Sequence, residues 1–172
     1  MRVLKFGGSS LADFACLEQV AALAKAQLKD EMLLVLSAPG GMTDSLVNLA
    51  STAEQGHDFS EQWHSLASRC NMLKAAVEEK QGAVQNWPDF DELKNKLDGV
   101  ALIKCCPDKI RAFIISFGER VSVSLMQSLL ADQNAHYLQA TDCIVSTGGY
   151  IDAEADLAAS KVRFQAVLKE SP

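Results

Sequence analysis

Apolar positions change period several times along the chain, and each change marks an element. Arg2 to Phe6 reads as a short strand running into Gly7-Gly8-Ser9-Ser10. From Leu11 the spacing becomes helical, with Leu17, Val20, Ala21, Ala24 and Leu28 on one stripe. Ser9 or Ser10 is placed to cap that helix by accepting a backbone N–H bond. Met32 to Ala38 is a continuous run rich in Leu and Val, the pattern of a strand buried on both faces of a parallel sheet. It ends in Ser37-Ala38-Pro39-Gly40-Gly41, a loop signal. Thr43 opens the next helix, with Leu46, Val47 and Ala50 inward. Strand, glycine loop, helix, repeated twice, is the order of an α/β protein.

The middle of the chain has another texture. Phe59, Trp63, Leu66, Cys70, Leu73 and Val77 form a narrow helical seam, and Phe90, Leu93 and Leu97 repeat it after Trp87-Pro88. This predicts an antiparallel helical pair inserted at about 57–100, packed within the chain because the repeat is too short for a coiled coil. A further helix starts at Pro107-Asp108, with Ile110, Ile114, Phe117, Val121, Leu125 and Leu129 on its stripe. Gly118 inside it costs ~1 kcal/mol relative to alanine, a sign that something approaches the backbone there. His136 to Gln139 is a third strand candidate, Cys143 to Ser146 a fourth or a loop, and a last helix runs roughly from Ala155 to Leu168. So few strands leave a sheet edge and helix faces uncovered. The chain stops at Ser171-Pro172 straight after a helix, so it reads as part of a larger domain, and self-association is expected.

Composition narrows the classes. The 172 residues are 48% hydrophobic and 22% charged, a globular balance that excludes disorder. A net charge of -6 argues against nucleic acid, which usually meets a basic face. No apolar run reaches the ~18 residues of a membrane span. The N-terminus turns glycine-rich too early for a signal peptide. Five cysteines, with Cys105 and Cys106 adjacent and no C-x-x-C pair, predict reduced thiols in a cytoplasm rather than disulfides or zinc. His57, His64 and His136 form no metal or triad pattern.

Three segments could carry chemistry. Lys5 precedes Gly7, Gly8 and Ser9 at the end of a strand. Glycine amides and a helix N-terminus suit an anion, and ligands of open α/β sheets bind at strand carboxyl ends. It is neither a P-loop nor G-x-G-x-x-G; the plainer alternative is a tight turn beside a solvated lysine. Ser37 and Thr43 flank the second glycine loop, where Thr43 could simply cap its helix. Glu119 follows Gly118 and could point into a cleft to meet an ammonium group, or sit with Arg120 on a solvated face.

Taken together these residues resemble the aspartokinase branch of the amino acid kinase family. Val3-Leu4-Lys5-Phe6-Gly7-Gly8-Ser9-Ser10 is similar to its K-F-G-G-[ST]-S start. Val35-Leu36-Ser37-Ala38 with Met42-Thr43, and Ser116-Phe117-Gly118-Glu119, are similar to its later segments in order and spacing. The immediate Met1-Arg2-Val3-Leu4 start, the Ser37-Ala38-Pro39 loop and the Cys106-Pro107-Asp108 helix look most like the bifunctional aspartokinase–homoserine dehydrogenases.

The resemblance implies a three-layer α/β/α sandwich with a mainly parallel sheet. Residues 1–172 would be an incomplete N-terminal, amino-acid-binding lobe with the helical insertion. It implies ATP-dependent phosphorylation of the L-aspartate side-chain carboxylate in lysine, threonine and methionine biosynthesis. Lys5 would stabilise the transferring phosphoryl group, and Gly7, Gly8 and Ser9 would cradle it. Thr43 would hold aspartate with Ser37 beside it, and Glu119 would pair with the α-ammonium. ATP with Mg2+ would serve the parent enzyme, with no cofactor tightly bound here and no metal site. The expected partners are L-aspartate and ATP, with no nucleic acid and no membrane, in a cytoplasmic homo-oligomer.

Two departures stand out. Asp44 follows Thr43 where the family has Asn, a charge that Arg120 could offset. The family's later G-R-G/N-G-S-D and T-D-V-D-G segments, regulatory domains and dehydrogenase domain do not occur in these 172 residues, so the chain alone is expected to be inactive. The alternative is a non-catalytic amino-acid-binding or assembly module reusing the fold. Another amino acid kinase, for acetylglutamate or glutamate, fits less well, because those lack the K-F-G-G-S-S start.

Overall fold

The computed structural model describes residues 2–27 and 31–170. Met1, Leu28 of the predicted stripe, and Ser171-Pro172 lie outside the described residues. Strand β1 (Arg2–Phe6) leads through a 3-10 turn (Gly8–Leu11) into helix α1 (Phe14–Gln27) and then strand β2 (Met32–Leu36). The strands pair in parallel, with Arg2 opposite Met32, Lys5 opposite Val35 and Phe6 opposite Leu36. Their carboxyl ends, and so the two glycine loops, therefore fall side by side.

After the second loop come α2 (Met42–Glu54), α3 (Ser60–Gln81), α4 (Phe90–Ile103), α5 (Asp108–Ile115) and α6 (Phe117–Leu129). Helix α2 is the hub of the core: Met42, Leu46, Leu49, Ala50 and Ala53 are all fully buried. The seam residues Leu66, Cys70, Leu73 and Val77 also turn into this core, as expected for packing within the chain. The helical pair is corrected in one respect: α4 packs chiefly on α2, and α3 on α6, rather than on each other. The two insertion helices meet through rings. Phe90 lies 6.2 Å from Trp63, stacks on Trp87 at 5.7 Å and meets Phe117 edge-on at 4.9 Å.

The single helix expected from Pro107 to Leu129 is broken at Ser116, whose backbone (φ -77, ψ 1) ends α5 and begins α6. The apolar stripe runs through the break because both short helices face one core, so periodicity alone could not show it. Glu54 locks the start of α5. Its carboxylate accepts from the Cys106 N–H at 3.0 Å and from Arg111 Nη2 at 2.6 Å. The Arg111 hydrogen bond, then the Cys106 amide, hold the Glu54 carboxyl below its ordinary pKa.

Residues 136–172 form a second compact unit, distinct from 1–135. It holds α7 (Ala140–Cys143), the two-residue strands β3 (Ser146–Thr147) and β4 (Glu154–Ala155), and α8 (Leu157–Glu170). The strands are antiparallel, with Ser146 opposite Ala155. His136 to Gln139 is not a strand: an extended run becomes one only when a neighbour completes its ladder. The last helix starts at Leu157, not Ala155, because Ala155 is taken by the hairpin and the Asp156 carboxylate accepts from the Ala159 N–H at 2.9 Å. Ser160 Oγ accepts from the Val145 N–H and donates to the Val145 carbonyl, tying α8 to the chain before the hairpin.

Candidate functional site

Lys5 is exposed near the carboxyl end of β1. Past it, the Ser37 N–H donates to the Phe6 carbonyl at 3.1 Å, extending the parallel ladder into both loops. Gly7 is extended (φ -81, ψ 170) and Gly8 to Leu11 coil tightly, with the Ser10 N–H donating to the Gly7 carbonyl at 3.0 Å. Fully buried Leu11 anchors the turn.

Neither Ser9 nor Ser10 caps α1, contrary to the sequence expectation. Asp13 does: its carboxylate accepts from the Cys16 N–H at 2.8 Å, and that bond holds its pKa below the ordinary value. An anion of the protein's own therefore occupies the positive end of α1. The backbone donors closest to Gly7 and Gly8 are those of the 3-10 turn, whose first N–H groups have no partner within it. Ser9 remains exposed.

In the second loop the Met42 N–H donates to the Pro39 carbonyl at 2.9 Å, and Gly41 adopts φ +73, which favours glycine. Ser45 donates to the Gly41 carbonyl through both its N–H and its Oγ. Thr43 does not cap α2, whose N-cap is Gly41 with no side-chain bond. Thr43 and Ser37 are both half-buried, and Asp44 is exposed.

Three segments far apart in sequence converge on Ala38. A Cβ placed on Gly8 would lie 2.8 Å from the Ala38 carbonyl oxygen. A Cβ on Gly118 would lie 2.6 Å from the Ala38 Cβ and 3.3 Å from Met42 Sδ. The backbone approach predicted at Gly118 is thus real, and the second glycine loop is what approaches. Glu119, in the first turn of α6, is half-buried; its Oε2 is shielded and has no hydrogen-bond partner. Arg120 is not on a solvated face: its guanidinium lies 4.5 Å from the Phe113 ring centre and 4.7 Å from that of Phe117.

Sequence reasoning passed over Arg69, on α3. Its Nη2 donates to the Gly40 carbonyl at 2.7 Å and to the Ala12 carbonyl at 3.0 Å. The only signal was a long cation beside Cys70 on an apolar seam. Among the described residues no three His, Cys, Asp or Glu side chains gather as metal ligands, and no helix is long and apolar enough to cross a membrane. All five cysteines are free.

The two glycine loops thus lie side by side at the carboxyl ends of β1 and β2, with Lys5 on β1 and with Gly118, the neighbour of Glu119, packed against the second loop. The chain belongs to the amino acid kinase family, whose sequence profile matches residues 1–169. It is 33% identical over 179 aligned positions to the bifunctional aspartokinase/homoserine dehydrogenase of Buchnera aphidicola subsp. Acyrthosiphon pisum, covering 96% of this chain and 22% of that protein. Aspartokinase 1, chloroplastic, of Arabidopsis thaliana is 27% identical over 132 positions, covering 74% of this chain and 23% of the other. The crystal structure of E. coli aspartokinase III with lysine and aspartate superposes with a TM-score of 0.77 at 21% identity, covering 99% of this chain and 39% of that one. A second crystal structure of that protein, in complex with aspartate and ADP, gives 0.73 at 20% identity, covering 98% and 37%. The fold is therefore that of the amino acid kinases, and the chain is aspartokinase-like, spanning about a fifth of the curated relatives' length.

Proposed function

We propose that this chain forms the amino-acid- and phosphate-facing part of an aspartate kinase. The reaction would be ATP-dependent phosphorylation of the L-aspartate side-chain carboxylate to 4-phospho-L-aspartate, feeding lysine, threonine and methionine biosynthesis in the cytoplasm. The observation that carries this reading is the convergence on Ala38 of the Gly8 turn, the second glycine loop and the helix bearing Glu119.

In such a reaction a carboxylate oxygen attacks the γ-phosphorus as the bond to ADP breaks, so catalysis is mostly positioning and charge stabilisation. Lys5 would meet the charge on the transferring phosphoryl group. The amides of Gly7 and Gly8 and the Ser9 hydroxyl would donate to its oxygens. Ser37 and Thr43 would line the aspartate pocket. The shielded Glu119 carboxylate would take the α-ammonium, because a buried acceptor without a donor gains most from a charged one. Mg2+ would accompany ATP, and among the described residues no three His, Cys, Asp or Glu side chains gather to hold it. The relatives are several times longer, so we expect the isolated chain to be inactive and to self-associate.

A titration of the 172-residue protein with L-aspartate, followed by NMR shifts of residues 7–9, 37–43 and 118–119, tests the reading. We expect shifts there with L-aspartate, and much weaker ones with succinate, which lacks the ammonium, or in Glu119→Gln. Equal responses to aspartate and succinate would remove Glu119 from its role. Formation of ADP by the isolated chain with aspartate would overturn the expected inactivity. Binding without loss in Lys5→Met, in a longer form that still lacks turnover, would favour a non-catalytic binding module.

A further inference from the structure

The 3-10 turn at Gly8–Leu11 and the loop after β2 touch backbone to backbone. A Cβ on Gly40 would lie 3.1 Å from the Gly8 carbonyl oxygen and 3.3 Å from the Ala12 Cβ. A contact between two glycine loops has little side-chain packing to keep it in register, and glycine backbones lose the most freedom when fixed. Arg69 bridges this seam from α3. One guanidinium nitrogen reaches the carbonyl of Ala12, which ends the first loop, and that of Gly40, in the second. Charge-assisted donors of this kind are about twice as strong as neutral ones.

The contact also has a direction. A trans peptide points its C=O and N–H to opposite sides. Holding the Gly40 carbonyl toward α3 therefore turns the Gly41 N–H away from it. The same helix packs on α6, which carries Glu119. One helix thus braces both the glycine loops and the carboxylate.

We propose that Arg69 is a positioning residue: it clasps the two glycine loops together and so fixes the spacing of the anion-binding backbone. The part of this that concerns aspartate rests on the function proposed above, whereas the clasp itself does not.

Two measurements on the 172-residue protein test it, with R69M, which keeps an apolar stem but no donor, and R69K, which keeps charge and donors without the planar fork. The first is amide hydrogen exchange without ligand. We expect the hydrogen-bonded amides of Ser10 and Met42 to exchange about tenfold faster in R69M, with R69K intermediate and the amides of buried Leu46, Leu49 and Ala50 unchanged. The second is the Kd for L-aspartate, expected to rise about fivefold or more in R69M and to recover partly in R69K. Unchanged exchange in both loops overturns the clasp, and loosened loops with an unchanged Kd overturn its role in positioning. Should R69M not fold, R69K carries the same expectations at smaller amplitude, and parent-like exchange in R69K with intact protection elsewhere counts against the clasp. Absence of aspartate binding by the parent chain would tell against the aspartate reading alone, because the exchange data decide the clasp without it.

Discussion

Gly118→Ala perturbs the point where α6 meets the second glycine loop. The new methyl would sit 2.6 Å from the Ala38 Cβ, whereas carbon atoms rest at about 3.5–4.0 Å. The two must separate by about 1 Å. The Ala38 Cβ is fixed to its backbone, so no rotamer change can relieve the contact; the loop or the helix has to move. Overpacking of this kind costs about 1–3 kcal/mol, and the rigid partner puts it toward the upper end. Alanine returns at most ~1 kcal/mol of helix propensity, less in a first turn. The net is a loss of about 1–2 kcal/mol, or ~2–8 °C in Tm for a chain this size. Gly99, in α4, is the matched control: it is exposed, and a Cβ there would meet nothing within 4 Å. Gly99→Ala should therefore stabilise by about 0.5–1 kcal/mol, mainly by restricting the unfolded chain. Thermal melts by circular dichroism read both variants. Opposite signs are expected. If Gly118→Ala melts at or above the parent, the loop is not pressed against α6 and the convergence on Ala38 is not a tight one.

Acid titration probes the Glu54 lock. Its carboxyl is held below the ordinary value by Arg111 and the Cys106 amide, so its contribution is present above about pH 4.5 and disappears as pH falls through the lower folded pKa. Glu54→Gln should melt below the parent at pH 7, and the gap should close in acid; a gap that stays constant from pH 7 to pH 3 would count against it. Thiol labelling separates the cysteines: Cys105 is exposed, whereas burial pushes the Cys70 thiol up to about 12. Iodoacetamide at pH 8 should modify Cys105 in the native protein and reach Cys70 only after unfolding, as peptide mass spectrometry would show; equal native rates would refute the buried assignment.

Much of this molecule is readable one segment at a time. Continuous apolar runs, helical spacing and glycine are local signals, and they located β1, β2, the two glycine loops and the seam of α3 and α4, although β2 ends at Leu36 and leaves Val35 exposed rather than buried on both faces. The glycine inside a helical stripe also marked a real approach, because a missing side chain is itself a record of crowding. Residues whose behaviour depends on a distant neighbour were not readable. His136 to Gln139 has strand composition without a strand; the Pro107–Leu129 stripe hides a break at Ser116; and Asp13 displaces Ser9 and Ser10 as the cap of α1. Hydrogen bonds and steric fit act over a few ångströms of space, whatever the separation along the chain. The order of residues therefore set the elements and supplied Lys5, Ser37, Thr43 and Glu119 as separate candidates. Folding alone brought Gly8, Ala38 and Gly118 into contact and laid Arg69 across the two loops, because only the packing of α3 and α6 around the strand ends fixes those distances.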